Sequence, residues 1–158
     1  MADALAHWGN PSSPHGEGRA ARAMLEEARR RIAAALGWEG HVIFTSGASE
    51  AIALALGRST MGHIVTSPVE HDAVLRMTPD AVRLRVDAMG VVGETVEGAL
   101  HTIQHVNNET GVVQPIALLS ESVSEKGGRL FCDCAQSAGK IDLPVQADMI
   151  AISAHKFG

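Results

Sequence analysis

The chain has 158 residues, 46% of them hydrophobic and 20% charged, enough for one folded domain with a real core. Its net charge is −5 and it carries no basic block, which argues against nucleic-acid binding. Aromatic residues make up 3% and Tyr is absent, so the core must be built from Ala, Val, Ile and Leu, as suits helices packed on a sheet.

Residues 7–18, HWGNPSSPHGEG, are rich in Gly, Pro, Ser and Asn and read as a loop, with Ser12 or Ser13 as a cap for the helix after it. From Glu17 the apolar positions Ala20, Ala21, Met24, Leu25, Ala28, Ile32, Ala35 and Leu36 form one helical stripe that stops at Gly37. Arg29, Arg30 and Arg31 lie in that helix beside Glu26 and Glu27 and read as a solvated face with local ion pairs. Residues 41–45, HVIFT, read as a strand. Ser46, Gly47, Ala48 and Ser49 then make a tight turn into a helix over about 49–56, ended by Gly57. A strand, a Gly/Ser turn and a helix amino end make an anion-binding geometry. It is not a P-loop, because no Gly-Lys-Ser/Thr follows.

A second strand is expected at 63–67 and a short helix at 72–77. Residues 81–86 alternate as a third strand, 87–93 form a turn region, and 94–99 read as a short helix. The fourth strand, 101–106, is followed at once by Asn107, Asn108 and Glu109. A loop over 111–115 leads to a helix at 116–126, stopped by Gly127 and Gly128. The fifth strand spans 129–134. The last apolar run, 149–152, suits a buried strand of a parallel sheet.

This order of alternating strands and helices predicts an α/β fold: a mostly parallel sheet with helices on both faces. No internal domain boundary is evident. Cys132 and Cys134 are expected to point to opposite faces of their strand, which argues against a disulfide between them, and a zinc knuckle needs more ligands at wider spacing. His101 and His105 share a strand face, but no third metal ligand is evident. With no signal-peptide pattern or long apolar span, the chain is expected to be cytoplasmic and reduced.

Strand ends carry the chemistry. Ser46 to Ser49, Glu70 with His71, Asn107 to Glu109, Asp133 with Gln136, and Ser153, His155 and Lys156 all come just after expected strands. In a parallel sheet these ends share one edge, which is where ligands bind in open α/β sheets. Singly, each has an ordinary reading as a cap or turn residue.

Taken together these motifs resemble a known family. TSGASEA (45–51), EHDAVL (70–75), HVNNETGVVQP (105–115), DCAQSAGK (133–140) and SAHK (153–156) are similar to the motifs of cysteine desulfurases and stand in the same order. So do GNPSS (9–13), His15 and Gly18. The chain resembles the NifS/IscS-like branch of the fold-type I pyridoxal-phosphate enzymes, the class-V aminotransferases.

The resemblance implies that Lys156 forms a Schiff base with pyridoxal 5'-phosphate, since an amine makes an imine reversibly. It puts Asp133 against the pyridine nitrogen, keeping the ring protonated. Gln136 would bond the phenolic oxygen, with Asn108 near the same edge. His71 would stack on the ring and take part in proton transfer. Ala48 and Ser49 would hold the phosphate at a helix amino end, joined by Ser153 and His155. The implied reaction takes L-cysteine to L-alanine through an enzyme persulfide, supplying sulfur-acceptor proteins such as an iron–sulfur scaffold, or tRNA thiolation. The implied assembly is a homodimer.

Against the family pattern, Ser49 stands where Thr is usual and Cys134 where Ala or Thr is common. The chain reads as an incomplete part, 1–158, of the large cofactor-binding domain, without the family's opening segment or its carboxyl-terminal half. It lacks the mobile loop with the catalytic cysteine, so the isolated piece is expected to be inactive. Alternatives are another class-V enzyme, such as a selenocysteine lyase, epimerase or aminotransferase, or a non-catalytic interaction fragment.

Overall fold

The computed structural model describes Leu5, Ala6 and residues 9–157; His7 and Trp8 of the expected first loop lie outside the described residues. The chain forms two compact units, Met1–Phe44 and Thr45–Gly158.

In the first unit, helix α1 spans Gly16–Leu36. Its cap is His15, not Ser12 or Ser13: the His15 ring accepts the Gly18 N–H at 3.2 Å. The serines belong to the preceding turn, where Ser13 N–H meets the Asn10 carbonyl at 3.0 Å. That turn packs so closely on Gly18 that a Cβ there would lie 2.8 Å from the Asn10 carbonyl oxygen, which accounts for the glycine. Gly37 ends the helix in a left-handed conformation, φ 63°.

Residues 41–45 are not a strand. A strand needs a neighbour for its backbone groups, and here the Arg29 guanidinium takes the Val42 carbonyl and sits over the Phe44 ring at 4.9 Å. Ile43 is left 76% exposed.

The second unit carries a five-stranded sheet in the order β2-β1-β3-β4-β5, every pair parallel. Its strands are β1 (Ile64–Thr66), β2 (Val82–Arg83), β3 (Leu100–Gln104), β4 (Arg129–Asp133) and β5 (Met149–Ala151). Its helices are α2 (Ala48–Gly57), α3 (Asp72–Met77) and α4 (Ile116–Glu125). The expected strand at 81–86 is reduced to β2. The expected helix at 94–99 is irregular chain with a turn. There the backbone is claimed from outside: Val96 N–H bonds His101 Nε2 at 2.9 Å, and Lys126 Nζ bonds the Thr95 carbonyl at 2.8 Å. His101 is therefore a satisfied core histidine, its Nδ1 meeting the Ala99 carbonyl at 3.2 Å. Burial pushes its pKa down.

The sheet has a core on each face. Leu130, Cys132 and Ile103 pack with Leu119 and Val123 of α4. Leu100 and Phe131 pack with Ile52 and Leu56 of α2 and Val74 of α3. Both faces are covered, so β3 is buried throughout.

The expectation for the cysteines fails. Residues two apart on a strand share a face, and Cys132 and Cys134 lie together in the α4-side core with their Sγ atoms 3.7 Å apart. Both are free thiols. Among the described residues no helix is long and apolar enough to cross a membrane.

Gly128 links α4 to β4 where a Cβ would lie 2.7 Å from the Ala99 carbonyl oxygen and 3.0 Å from Val123 Cγ1. Gly128→Ala is expected to destabilise the second unit by about 1–3 kcal/mol. Urea denaturation checks it: the midpoint should fall with the slope unchanged.

Candidate active site

Strands β1, β3, β4 and β5 run the same way, so their carboxyl ends open onto one edge. At that edge lies a cavity of about 410 Å³.

One wall is the start of α2. Gly47 is its N-cap and gives no side-chain hydrogen bond, so the first-turn N–H groups of Ala48 and Ser49 have no capping acceptor. They line the cavity with Ser46 and Gly47. The helix dipole adds a partial positive charge there. Glu50 turns back to accept the Ser46 N–H at 2.6 Å, and that bond holds its pKa below the usual value.

Opposite, β5 leads into a 3₁₀ turn, Ala154–Lys156. Ser153 is buried, its Oγ 3.0 Å from His155 Nδ1. Lys156 is half-buried, and both Ser153 and His155 line the cavity with it.

Asp133, the last residue of β4, lies in the same cavity and is 7% exposed. Its Oδ1 accepts the Ala135 N–H at 2.9 Å. Burial raises its pKa; that hydrogen bond and the charges of His71 and Lys156 oppose the rise. A buried carboxylate of this kind favours a cation beside it.

His71 is the N-cap of α3, and its Nδ1 accepts the Ala73 N–H at 3.1 Å. In the neutral ring, that bond places the proton on Nε2. Asn108 and Gln136 also line the cavity. Asn107 is used elsewhere, its Oδ1 holding the Glu109 and Thr110 N–H groups at 2.9 and 2.8 Å and its Nδ2 the Val69 carbonyl at 2.9 Å. Its work in the turn leaves Asn108 facing the cavity, while Glu109 is exposed outside it.

Thus Ala48, Ser49, His71, Asn108, Asp133, Gln136, Ser153, His155 and Lys156, all named from the sequence, line one cavity. Sequence reasoning missed Gln104, the last residue of β3, and Val106 just beyond it, which also line the cavity. The signal was there: the last strand residues sit at the same edge as the polar loop after them.

A family model described as Aminotransferase class-V matches residues 3–158. The chain is 38% identical over 174 aligned residues to a protein named cysteine desulfurase IscS from Dictyoglomus turgidum, covering 95% of this chain and 44% of that protein. It is 37% identical over 173 residues to a putative cysteine desulfurase IscS 1 from Bacillus subtilis, covering 94% and 46%. Among solved structures, a NifS-like protein from Rickettsia africae aligns with TM-score 0.84 and 27% identity, over 98% of this chain and 49% of that one. SspA in complex with cysteine aligns with TM-score 0.82 and 33% identity, over 96% and 50%. The chain spans about half the length of the relatives it matches.

Because the pKa of Asp133 is raised on folding, its ionisation opposes folding: this contribution is fully favourable below the ordinary value of 3.8 and is lost as pH rises through the folded value. Asp133→Asn keeps the acceptor for Ala135 and removes the charge. Without added ligand it is expected to melt at a higher temperature than wild type at pH 7, with the gap closing toward pH 4, which thermal denaturation across that range checks.

Proposed function

The chain belongs to the class-V aminotransferase family, and on that premise we propose that the whole protein is a pyridoxal-phosphate-dependent cysteine desulfurase. It would convert L-cysteine to L-alanine and pass the sulfur, through an enzyme persulfide, to acceptor proteins such as an iron–sulfur scaffold or toward tRNA thiolation. Residues 1–158 would be part of its large cofactor-binding domain, and the working enzyme a cytoplasmic homodimer. The observation that carries the reading is that an amine, a buried carboxylate and an imidazole, Lys156, Asp133 and His71, line one cavity with an uncapped helix start.

The residues present fit pyridoxal phosphate. A phosphate suits a helix start whose first N–H groups lack a capping partner. A protonated pyridine nitrogen suits a buried carboxylate that is costly to ionise without a neighbouring cation. When bound, the cofactor supplies an aldehyde that condenses with amines and a ring that accepts electron density.

The chain's own residues then have distinct tasks. Ala48 and Ser49 would hold the phosphate, with the Ser153 hydroxyl and His155 beside it. Asp133, ionised, would keep a proton on the ring nitrogen. Gln136 and Asn108 would orient the ring's phenolic edge and the substrate. Lys156 Nζ would bind the aldehyde carbon and, when released, take or return a proton. His71 would lie against the ring face; the bond from Ala73 to Nδ1 leaves Nε2 as the atom that carries its proton.

The test is an absorbance spectrum from about 300 to 500 nm after adding pyridoxal phosphate, with Lys156→Ala as control. A protein-bound band near roughly 400 nm, absent from the variant, is expected. Identical spectra for the two proteins would overturn the assignment of Lys156.

A further inference from the structure

One buried acid beside the cavity has no task in this scheme. Glu70 is 6% exposed and sits between β1 and the helix cap His71. Its Oε1 accepts the Gln104 backbone N–H at 3.0 Å, across 34 residues of sequence. Its Oε2 is buried and has no partner among the described residues. The neighbouring Val69 carbonyl accepts bonds from the Gln104 and Asn107 side-chain amides. The turn that carries His71 is therefore pinned to the end of β3 by Glu70 on one side and Val69 on the other. Gln104 in turn pairs in register with Asp133, so Glu70, from the turn after β1, bonds the end of β3 next to the Asp133 end of β4.

A carboxylate buried with one hydrogen bond and one empty oxygen is far costlier than the neutral acid. The balance at Glu70 pushes its pKa up to about 8: burial is the main cause and the Asp133 charge adds to it, against the Gln104 N–H and the Ser67 hydroxyl. The Cys132 thiol on β4 also feels the Glu70 charge.

We propose that Glu70 is a positioning residue that works as the neutral acid: it pins the His71 turn to β3 and leaves Asp133 as the carboxylate that meets the cofactor ring. This rests on the pyridoxal-phosphate reading above. Ionised, Glu70 would place a second negative charge beside Asp133 and strain the pin, loosening the turn that carries His71.

Wild type, Glu70→Gln and Glu70→Ala separate these effects, because Gln keeps the shape and the acceptor for Gln104 but cannot ionise. The first measurement is thermal denaturation from pH 5 to 9 without cofactor. An acid whose pKa rises from 4.5 to about 8 on folding stabilises below the lower value, and its contribution is lost as pH climbs to the upper one. Wild type should therefore lose melting temperature relative to Glu70→Gln up to about pH 8, with a constant gap beyond. Parallel curves would overturn the proposal.

The second measurement is pyridoxal-phosphate binding by absorbance over the same range. Wild type should bind more weakly as pH passes about 8, Glu70→Gln should not show that transition, and Glu70→Ala should bind roughly tenfold more weakly at every pH. If Glu70→Gln tracks wild type, or Glu70→Ala binds as tightly as wild type, the positioning role fails. Absence of a Lys156-dependent band at every pH would instead sink the cofactor reading, and the melting curves would still report on the buried acid.

Discussion

A parallel strand delivers the residues after it to the same edge as its neighbours do, and the site depends on that constraint. Gln104 is paired with Asp133, and Asp133 with Ala151, at the last rungs of their ladders. Ser153 and Lys156 come two and five residues later. Moving any strand by one residue would turn alternate side chains to the opposite face. Here both faces are packed, so such a slip would set Phe131 against α4 and Cys132 against α2 and α3. The apolar ladder thus fixes where the carboxylate and the amine stand, although none of its members touches a ligand.

Two buried carboxyl groups lie at this edge, and their surroundings separate them. Asp133 has His71 and Lys156 close enough to favour its charge. Glu70 has the opposite neighbour, Asp133 itself, and an oxygen with no hydrogen-bond partner among the described residues. Low dielectric amplifies both effects. The acid with cationic neighbours is the one suited to meet a protonated ring; the other is suited to hold backbone together. The division comes from position, since Glu70 lies in a connecting turn and Asp133 at a strand end that opens into the cavity.

The sequence was legible where one physical demand dominated. The buried runs of β3 and β4 and the polar residues after them result from hydrophobic burial and strand direction, and each lies close to where pattern put it. It misled where a side chain from elsewhere took over the backbone. HVIFT has the β-branched and aromatic content of a strand, but Arg29 claims the Val42 carbonyl and no strand forms. Residues 94–99 look helical until His101 and Lys126 take their N–H and carbonyl groups. The His15 cap was hidden because serine is the usual capping residue and histidine is not. Gln104 was passed over because polar residues after a strand draw more notice than a polar residue ending one.

The cysteine pair shows how face assignment bears on chemistry. Phe131 belongs to the core under α2 and α3, while Cys132 and Cys134 belong to the core under α4. Asp133 shares the parity of Phe131 and lines the cavity beside Ile52 and Ala73. The thiols therefore lie across the sheet from the groups proposed to act on substrate. Both are fully buried; burial is the main cause that pushes the Cys132 thiol well above its ordinary pKa, while the Cys132 hydrogen bond is the main cause that pulls its neighbour Cys134 down to about 6, against burial. Neither can reach a sulfur atom in the cavity without parting β4 from α4. The persulfide of the proposed reaction must form on a different cysteine, and these two serve as small apolar side chains in a tightly packed core.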